Sequence, residues 1–317
     1  MMQDLAIGVD FGATNIKLGL VARTGRVLAT SVLPAQLYGA PARFVEAVGE
    51  AVERLLQARR IQRSRIAGAV VGAPGPVDHA RGIVHTMVNV RGWREVPLAR
   101  LMTRRLGCRT LVENDVNLIA LGEWRHGAGR GAAQMVCLTL GTGVGGGLIL
   151  GGGLYRGHSG AAGEIGHMAI DPQGPRCGCG ARGCLEAYVG AAAICRMGGV
   201  GTPKQLSQAA QAGDRQALRV WREFGQLLGL GVASLINVLN PDRVVIGGGV
   251  SSAWRFFAPT LQRTVRTQAM AAALHNTQIV RAKLGDQAGI VGSAVLIWDP
   301  KSATSNKRQA AVSERSS

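Results

Sequence analysis

The sequence has few acidic residues, few aromatic residues and no long apolar run. Its 19 Asp and Glu stand against 36 Lys and Arg in 317 residues, giving a formal net charge of +17, while 47% of the residues are hydrophobic. This apolar content excludes a disordered basic protein, because such chains lack the apolar surface that offsets the entropy of ordering. With 4% aromatic residues and 46 glycines, the core must be built from Ala, Val, Leu and Ile. We therefore predict an α/β protein with many tight loops, in one large or two medium domains.

No segment has the pattern of a signal peptide or the length of a membrane span. Residues 1–5 lack the positively charged residues with which a signal peptide begins. Apolar runs such as residues 135–140 are far shorter than the roughly 18 residues that a membrane-spanning helix needs. We expect a cytoplasmic protein with no membrane partner.

Lysine is also scarce, so the positive charge comes mostly from arginine. Only five residues are lysine. The arginines are spread over every segment and are more frequent at residues 54–65 and 91–109. A nucleic-acid-binding protein concentrates its cations in a patch or stripe. Arginines on solvated helix faces therefore explain the charge better than a specific nucleic-acid partner, and we expect only weak, nonspecific retention on DNA.

Local patterns predict strands, helices and loops along the chain. Apolar runs predict strands at residues 5–10, 16–22, 27–33, 66–72, 110–113, 135–140, 148–150 and 243–246. Helical spacing predicts helices beginning at Pro41 and covering residues 97–106, 116–125, 214–239 and 285–298. Loops are expected at GAPGPVD, at GTGVGGG, and throughout residues 151–190.

Two glycine-rich turns recur in matching contexts. IGVDFGATNIKLGL begins at Ile7 and CLTLGTGVGGGLIL at Cys137, which suggests two related domains facing a shared cleft. Backbone amides in such turns can cradle phosphate oxygens, and a carboxylate at a strand end can hold magnesium through water. An ordinary hairpin explains either turn alone, but the pair favours a phosphate site. The candidate residues are Asp10, Gly12, Thr14, Lys17, Gly141, Thr142 and Gly143.

Two other nucleotide-binding motifs are excluded. Gly141, Gly143 and Gly146 satisfy the GxGxxG pattern, but the following LIL is typical of a strand rather than the helix that a Rossmann fold requires. The P-loop pattern GxxxxGK[ST] does not occur anywhere in the sequence.

Three of the six cysteines fall within eight residues and follow a histidine. His167, Cys177, Cys179 and Cys184 supply one imidazole and three thiolates, the set of a closed tetrahedral zinc site. Clustered cysteines in a reducing compartment indicate a metal before disulfides. We predict structural zinc, because a closed site leaves no position for a catalytic water.

Carboxylates flank these motifs. Asp115 follows a predicted strand end, where capping the next helix is an alternative role. Glu164 precedes His167, and Glu186 follows Cys184. The zinc loop would hold both glutamates rigidly, and carboxylates accept bonds from vicinal hydroxyls such as those of a sugar. Surface charge is the alternative for both.

Together these segments resemble the ROK sugar kinases of the actin-like ATPase superfamily, from about Leu5 to Trp298. The motifs that carry the resemblance are DFGATNIK, ENDVNLIALGE, LGTGVGGG, GEIGH and CGCGARGCLE. The resemblance implies a two-lobed ribonuclease H-like fold with a cleft between a small and a large domain. We expect a small domain at 1–117 joined by a helix at 286–299, a large domain at 118–285 with the zinc loop, and a disordered tail at 300–317.

The resemblance also implies roles for individual residues. Asp115 is expected to be the general base, and one ring nitrogen of His167 to bind zinc while the other binds sugar. The expected sugar ligands are Pro74, Gly75, Asn89, Asn114, Asp115, Glu164, His167 and Glu186. Gly247, Gly248 and Gly249 are expected to approach the adenosine.

We accordingly expect an ATP- and magnesium-dependent kinase acting on the 6-hydroxyl of glucose, in a homodimer or homotetramer. The alternatives are an N-acetylmannosamine or mannose kinase and a sugar-sensing regulator without turnover. Family repressors carry a DNA-binding domain before the first phosphate motif, which here starts within ten residues of Met1, and this argues against a regulator.

Overall fold

The computed structural model describes residues 3–12, 14–35, 40–87 and 92–299. Within them the strands are β1 (Leu5–Phe11), β2 (Asn15–Ala22), β3 (Val27–Pro34), β4 (Ile66–Ala73), β5 (Val77–Asp78), β6 (Ile83–Thr86), β7 (Arg94–Val96), β8 (Thr110–Asn114), β9 (Met135–Leu140), β10 (Val144–Leu150), β11 (Gly153–Tyr155), β12 (Arg243–Gly247) and β13 (Gln278–Arg281). The α-helices are α1 (Pro41–Ala58), α2 (Leu98–Leu106), α3 (Asp115–His126), α4 (Leu185–Val189), α5 (Ala191–Gly198), α6 (Pro203–Gln211), α7 (Arg215–Leu239), α8 (Trp254–Gln268), α9 (Ala271–Leu274) and α10 (Ala288–Trp298). No described helix is long and apolar enough to cross a membrane.

The chain divides into two compact units, each with its own five-stranded sheet. The first unit comprises the chain up to Arg130, Gly153–Ala162 and the chain from Asp286, and the second comprises Gly131–Gly152 and Gly163–Gly285. The sheet orders are β3-β2-β1-β4-β8 and β11-β10-β9-β12-β13. In each, an antiparallel hairpin is followed by two parallel strands. The repeated glycine-rich turns of the sequence thus correspond to the same position in two sheets of the same topology.

Helices cover both faces of the first sheet. Alternate residues of β1, such as Ile7 and Val9, pack in one cluster with Phe44 and Val48 of α1, as the period of two in a strand requires. On the other face α10 approaches so closely that a Cβ on Gly8 would lie 2.8 Å from the Ile290 carbonyl oxygen. A sheet buried on both sides explains why its strands read as continuous apolar runs.

Helix α3 belongs to the first unit because it packs tightly on α10. A Cβ on Gly292 would collide with the Leu118 carbonyl, and one on Gly122 with the Ala288 carbonyl. Paired glycines let the two helix backbones approach. The domain boundary expected at residue 117 would cut this helix.

Few aromatic residues are present, but they are concentrated in the two cores. Phe11 and Phe44 stack with ring centroids 4.7 Å apart in the first unit. In the second, Trp221 and Phe224 of α7 meet Phe257 of α8 edge-on or tilted, at 5.0 to 6.1 Å. The expectation of a core built from Ala, Val, Leu and Ile was therefore wrong in this respect, because the largest fully buried side chains include Trp221, Phe11, Phe44, Phe224 and Phe257.

All three expected loops contain strand residues. Within GAPGPVD, Val77 pairs with Val84, so β5 joins β6 and β7 in a small sheet. Within GTGVGGG the turn is only residues 141–143, and Gly145 pairs with Thr139 inside β10. A Cβ on Gly146 would collide with the Gly163 carbonyl and Ile165. Gly146 thus permits close packing on the strand rather than forming the turn. The stretch 151–190, expected to be loop, also contains β11 and α4.

Candidate active site

In the first unit, the predicted site residues gather at one edge of the sheet. Strands β1, β4 and β8 are parallel, with Asp10 opposite Gly72 and Ala73 opposite Asn114. Pro74 and Gly75 follow β4 directly, and Asp115 follows β8. The carboxyl ends of parallel strands are where α/β proteins bind ligands.

Asp10 lies partly buried at the end of β1. Burial raises the pKa of its carboxyl group, and the nearby Lys17 ammonium opposes this rise. A Cβ on Gly289 would lie 3.1 Å from Asp10 Cγ, so the carboxylate packs against the first turn of α10. Because its charge is incompletely compensated, this oxygen donor suits a hard cation such as magnesium.

The first glycine turn connects β1 and β2. The Gly12 amide donates to the Asn15 carbonyl at 3.0 Å, and Thr14 is exposed. Lys17, expected at a phosphate, lies 2.9 Å from Asp286 Oδ1. This partner could not be found from the sequence, because Asp286 is distant along the chain and no local pattern marks it.

Asn114, rather than Asp115, caps helix α3. Its Oδ1 accepts from the amides of Val116 at 2.9 Å and Asn117 at 3.1 Å. Asn114 therefore occupies the helix-capping position that the sequence also allowed for Asp115. Asp115 Oδ1 accepts from the Val116 amide at 3.0 Å, and the residue is partly exposed. Its carboxylate therefore lies at the helix N-terminus, where negative charge is stabilised.

The loop after β4 is tied to this turn. Asn114 Nδ2 donates to the Gly75 carbonyl at 3.3 Å. Gly75 has φ of +91°, and a Cβ there would lie 2.9 Å from the Thr86 carbonyl, so glycine is required. Asn89, the remaining predicted sugar ligand of this unit, lies outside the described residues.

In the second unit, the two glycine segments share one edge. Strands β9 and β12 are parallel, with Gly247 opposite Thr139, so residues 141–143 and 247–249 leave neighbouring strands at the same end. Gly248 has φ of +80° and lies against the Leu140 backbone, where no side chain fits. Thr142 and Gly249 are exposed or partly exposed beside it. This edge offers backbone unshielded by side chains, as phosphate and nucleoside binding requires.

Glu186 joins the glycine turn to the cysteine loop. Its Oε2 accepts from the Val144 amide at 2.8 Å, and its Oε1 lies 3.9 Å from Cys177 Sγ. The resemblance implied that Glu186 binds sugar, but it did not predict the hydrogen bond from the Val144 amide to Glu186. Glu164 is exposed, with its carboxylate 3.8 Å from His167 Nε2.

His167 and the three cysteines form a compact cluster. One ligand atom from each of His167, Cys177, Cys179 and Cys184 lies within 4.8 Å of all the others. Cys179 Sγ and Cys184 Sγ are 3.7 Å apart, and Cys177 Sγ lies 3.7 Å from His167 Nδ1. Two sulfurs bound tetrahedrally at about 2.3 Å from zinc would be roughly 3.8 Å apart. The donors therefore fit a tetrahedral metal.

The cysteine thiols lie in different electrostatic surroundings. Burial and the neighbouring sulfurs raise the pKa of the Cys184 thiol to about 12, whereas hydrogen bonds, first that with the Ala181 backbone, lower the pKa of the Cys179 thiol. His167 Nδ1 faces the sulfurs, which leaves Nε2 on the other side of the ring.

The cysteine loop is braced from within the second unit. Tyr188 donates to Asp171 Oδ2 at 2.6 Å, which lowers the pKa of Asp171 and raises that of Tyr188 to about 12. A Cβ on Gly183 would overlap the Asp171 carbonyl. Cys184 thus follows a residue that must be glycine.

Comparison with known proteins identifies relatives of the whole chain. The ROK family model matches residues 6–299. The chain is 34% identical over 311 residues to the glucokinase of Halalkalibacterium halodurans, covering 92% of this chain and 94% of that protein. A putative xylose repressor from a Caldicellulosiruptor species is 30% identical, with 92% and 78% of the two chains covered. Among solved structures, a ROK family glucokinase from Streptomyces griseus in complex with glucose and AMPPNP has a TM-score of 0.81 and 34% identity, with 92% of this chain and 98% of that chain covered.

Proposed function

The chain belongs to the ROK family, and we propose that it is an ATP-dependent kinase that phosphorylates the 6-hydroxyl of glucose, with Asp115 as the general base. The observation that carries this proposal is the Asn114–Asp115 turn. Asn114 Oδ1 accepts from the amides of Val116 and Asn117 and so occupies the capping position, while Asp115 shares the Val116 amide through Oδ1. It stands partly exposed at the carboxyl edge of the sheet, where a substrate hydroxyl can donate to it.

Each step is assigned to residues of the chain. Asp115 accepts the hydroxyl proton as the sugar oxygen attacks the terminal phosphorus of ATP. The bond between that phosphorus and the bridging oxygen breaks, so the phosphoryl group passes to the sugar and ADP leaves. We assign the binding of the phosphates to Gly12, Thr14, Lys17 and the turn 141–143. Residues 247–249 approach the adenosine. Asp10 would hold magnesium through water, and the ion would supply positive charge against the phosphate oxygens.

We assign sugar binding to two side-chain amides, two carboxylates, one imidazole and the loop residues Pro74 and Gly75. The side chains are those of Asn89, Asn114, Glu164, Glu186 and His167. His167 would serve twice, with Nδ1 on zinc and Nε2 on a hydroxyl, since a metal bound on one nitrogen fixes the orientation of the other. Zinc on His167, Cys177, Cys179 and Cys184 is structural in this proposal, because four protein ligands leave no position for a water.

Two alternative functions remain within this assignment. The same carboxylates can bind N-acetylmannosamine or mannose, because bidentate acceptance from vicinal hydroxyls tolerates several epimers. The similarity to a putative xylose repressor favours considering a sugar-sensing regulator without turnover. We further propose a cytoplasmic homodimer or homotetramer, as the resemblance implies.

A coupled ADP-release assay over a sugar panel tests the proposal. The panel contains glucose, mannose, fructose, N-acetylglucosamine and N-acetylmannosamine, with 6-deoxyglucose as the matched control that lacks only the reacting hydroxyl. We expect the highest kcat/KM on glucose and no sugar-dependent ADP release with 6-deoxyglucose. A preference for N-acetylmannosamine or mannose would select the first alternative, and sugar binding without ADP release would select the regulator.

A further inference from the structure

A buried ion pair lies next to the Asn114–Asp115 turn. Arg156 Nε donates to Glu113 Oε2 at 2.8 Å, and Arg156 Nη2 lies 2.7 Å from the same oxygen. Each side chain is only 3% exposed. Taking two charges out of water is costly, and hydrophobic residues of similar volume often stabilise a protein more. A stabilising contribution alone therefore does not account for such a pair at this position.

The other oxygen of Glu113 holds the turn itself. Oε1 accepts from the Asn114 amide at 3.0 Å and from Asn117 Nδ2 at 2.9 Å. Because a carboxylate is planar, anchoring Oε2 on Arg156 also fixes the direction in which Oε1 accepts. The guanidinium thus acts on the backbone amide that immediately precedes Asp115.

One further segment reaches the same carboxylate. His79, which follows β5, places Nδ1 3.3 Å from Glu113 Oε2 and 3.1 Å from the Val112 carbonyl. The segment that carries Arg156 also packs against β5, since a Cβ on Gly160 would lie 2.9 Å from the Val77 carbonyl. Glu113 is therefore the common contact of Arg156, His79 and the turn that begins at Asn114.

We propose that Arg156, acting through Glu113, is a positioning residue that sets the orientation of Asn114 and Asp115 toward the sugar hydroxyl. This inference rests on the proposed function, in which Asp115 is the base. In it, neither Glu113 nor Arg156 contacts a substrate. Their effect is on geometry, and a displacement of about 1 Å at a reacting group can cost roughly a hundredfold in rate.

The test compares Arg156→Met with the double variant Glu113→Gln/Arg156→Met. The matched control is Arg105→Met. Arg105 is also in the first unit, and it forms ion pairs at 2.8 Å with Glu46 and with Glu53. For each protein we would measure kcat, both KM values, the thermal midpoint and amide hydrogen exchange over residues 114–117.

Arg156→Met should lower kcat by about 10- to 100-fold, leave the KM for ATP within about twofold of wild type, and speed exchange at Asn114 and Asn117. The double variant, with neither buried charge left unpaired, should regain much of the thermal midpoint while kcat stays low. Arg105→Met should lower the midpoint without lowering the kcat of the folded enzyme.

Three results would overturn the inference. They are a folded Arg156→Met enzyme with kcat within about threefold of wild type, unchanged exchange at residues 114–117, or recovery of kcat together with the midpoint in the double variant. The exchange measurement does not use activity. If Asp115 proved not to be the base, altered exchange would still separate that failure from a failure of the Arg156 contact.

Discussion

The cysteine loop offers a matched pair of substitutions, Gly180→Ala and Gly183→Ala. Both glycines lie between Cys179 and Cys184, and both have positive φ, +96° and +68° respectively. They differ in surroundings. A Cβ on Gly180 meets nothing within 4 Å, whereas one on Gly183 would overlap the Asp171 carbonyl.

The expected costs follow from this difference. A left-handed conformation costs an alanine about 1–2 kcal/mol, and both variants incur that cost. Gly183→Ala also forces backbone to move, and overpacking of this kind costs typically 1–3 kcal/mol more. If the displacement falls on Cys184, the metal affinity of Gly183→Ala should be about 5- to 150-fold lower than that of Gly180→Ala.

Competition of each variant with a chromogenic zinc chelator, together with the metal content after gel filtration, measures this difference. Wild type should retain the metal best, Gly180→Ala nearly as well, and Gly183→Ala least. Equal metal affinities in the two variants would refute the reasoning, because both positions have positive φ and the collision with Asp171 occurs only at Gly183.

Three further predictions concern the site and its stability. Glu186→Ala leaves the Val144 amide without its acceptor, at a cost of about 1–3 kcal/mol, so initial-rate kinetics should find the KM for ATP raised along with that for sugar; a rise for sugar alone would contradict the bond to the turn. Burial lowers the pKa of His79, so the unfolded chain takes up this proton first as pH falls below the usual value of about 6.5. Thermal melts should therefore lose stability through that window in wild type and lose less in His79→Gln, and identical pH profiles would contradict this. Chelation of the metal should weaken sugar binding more than ATP binding by calorimetry, and unchanged sugar affinity in demonstrably metal-free protein would remove the metal's role.

Local patterns predicted most of the sheet scaffold. The apolar runs around IGVDFGATNIKLGL and CLTLGTGVGGGLIL became matching hairpins, because a strand buried on both faces must be apolar throughout. The clustering of His167, Cys177, Cys179 and Cys184 was also predicted, since metal chemistry restricts both residue type and spacing.

Features that depend on distant contacts could not be predicted. Glu113 and Arg156 are 43 positions apart, and no period links them. Lys17 and Asp286 are separated by 269 positions. The sequence pattern placed Gly146 in a turn. Glycine is instead needed there because Gly163 and Ile165 approach the strand too closely for a Cβ. The sequence did contain a signal for the partner of Glu113. An acidic residue at the end of an otherwise apolar strand implies a buried partner.

The central claim is that Asp115 removes the proton from the attacking hydroxyl, and turnover of the Asp115→Asn variant tests it most directly. This substitution keeps the size of the side chain and leaves the Asn114 cap in place. With saturating glucose and ATP, kcat should fall by about a hundredfold or more, while glucose affinity and the thermal midpoint stay close to wild type. Near-normal kcat in the folded variant would contradict the account.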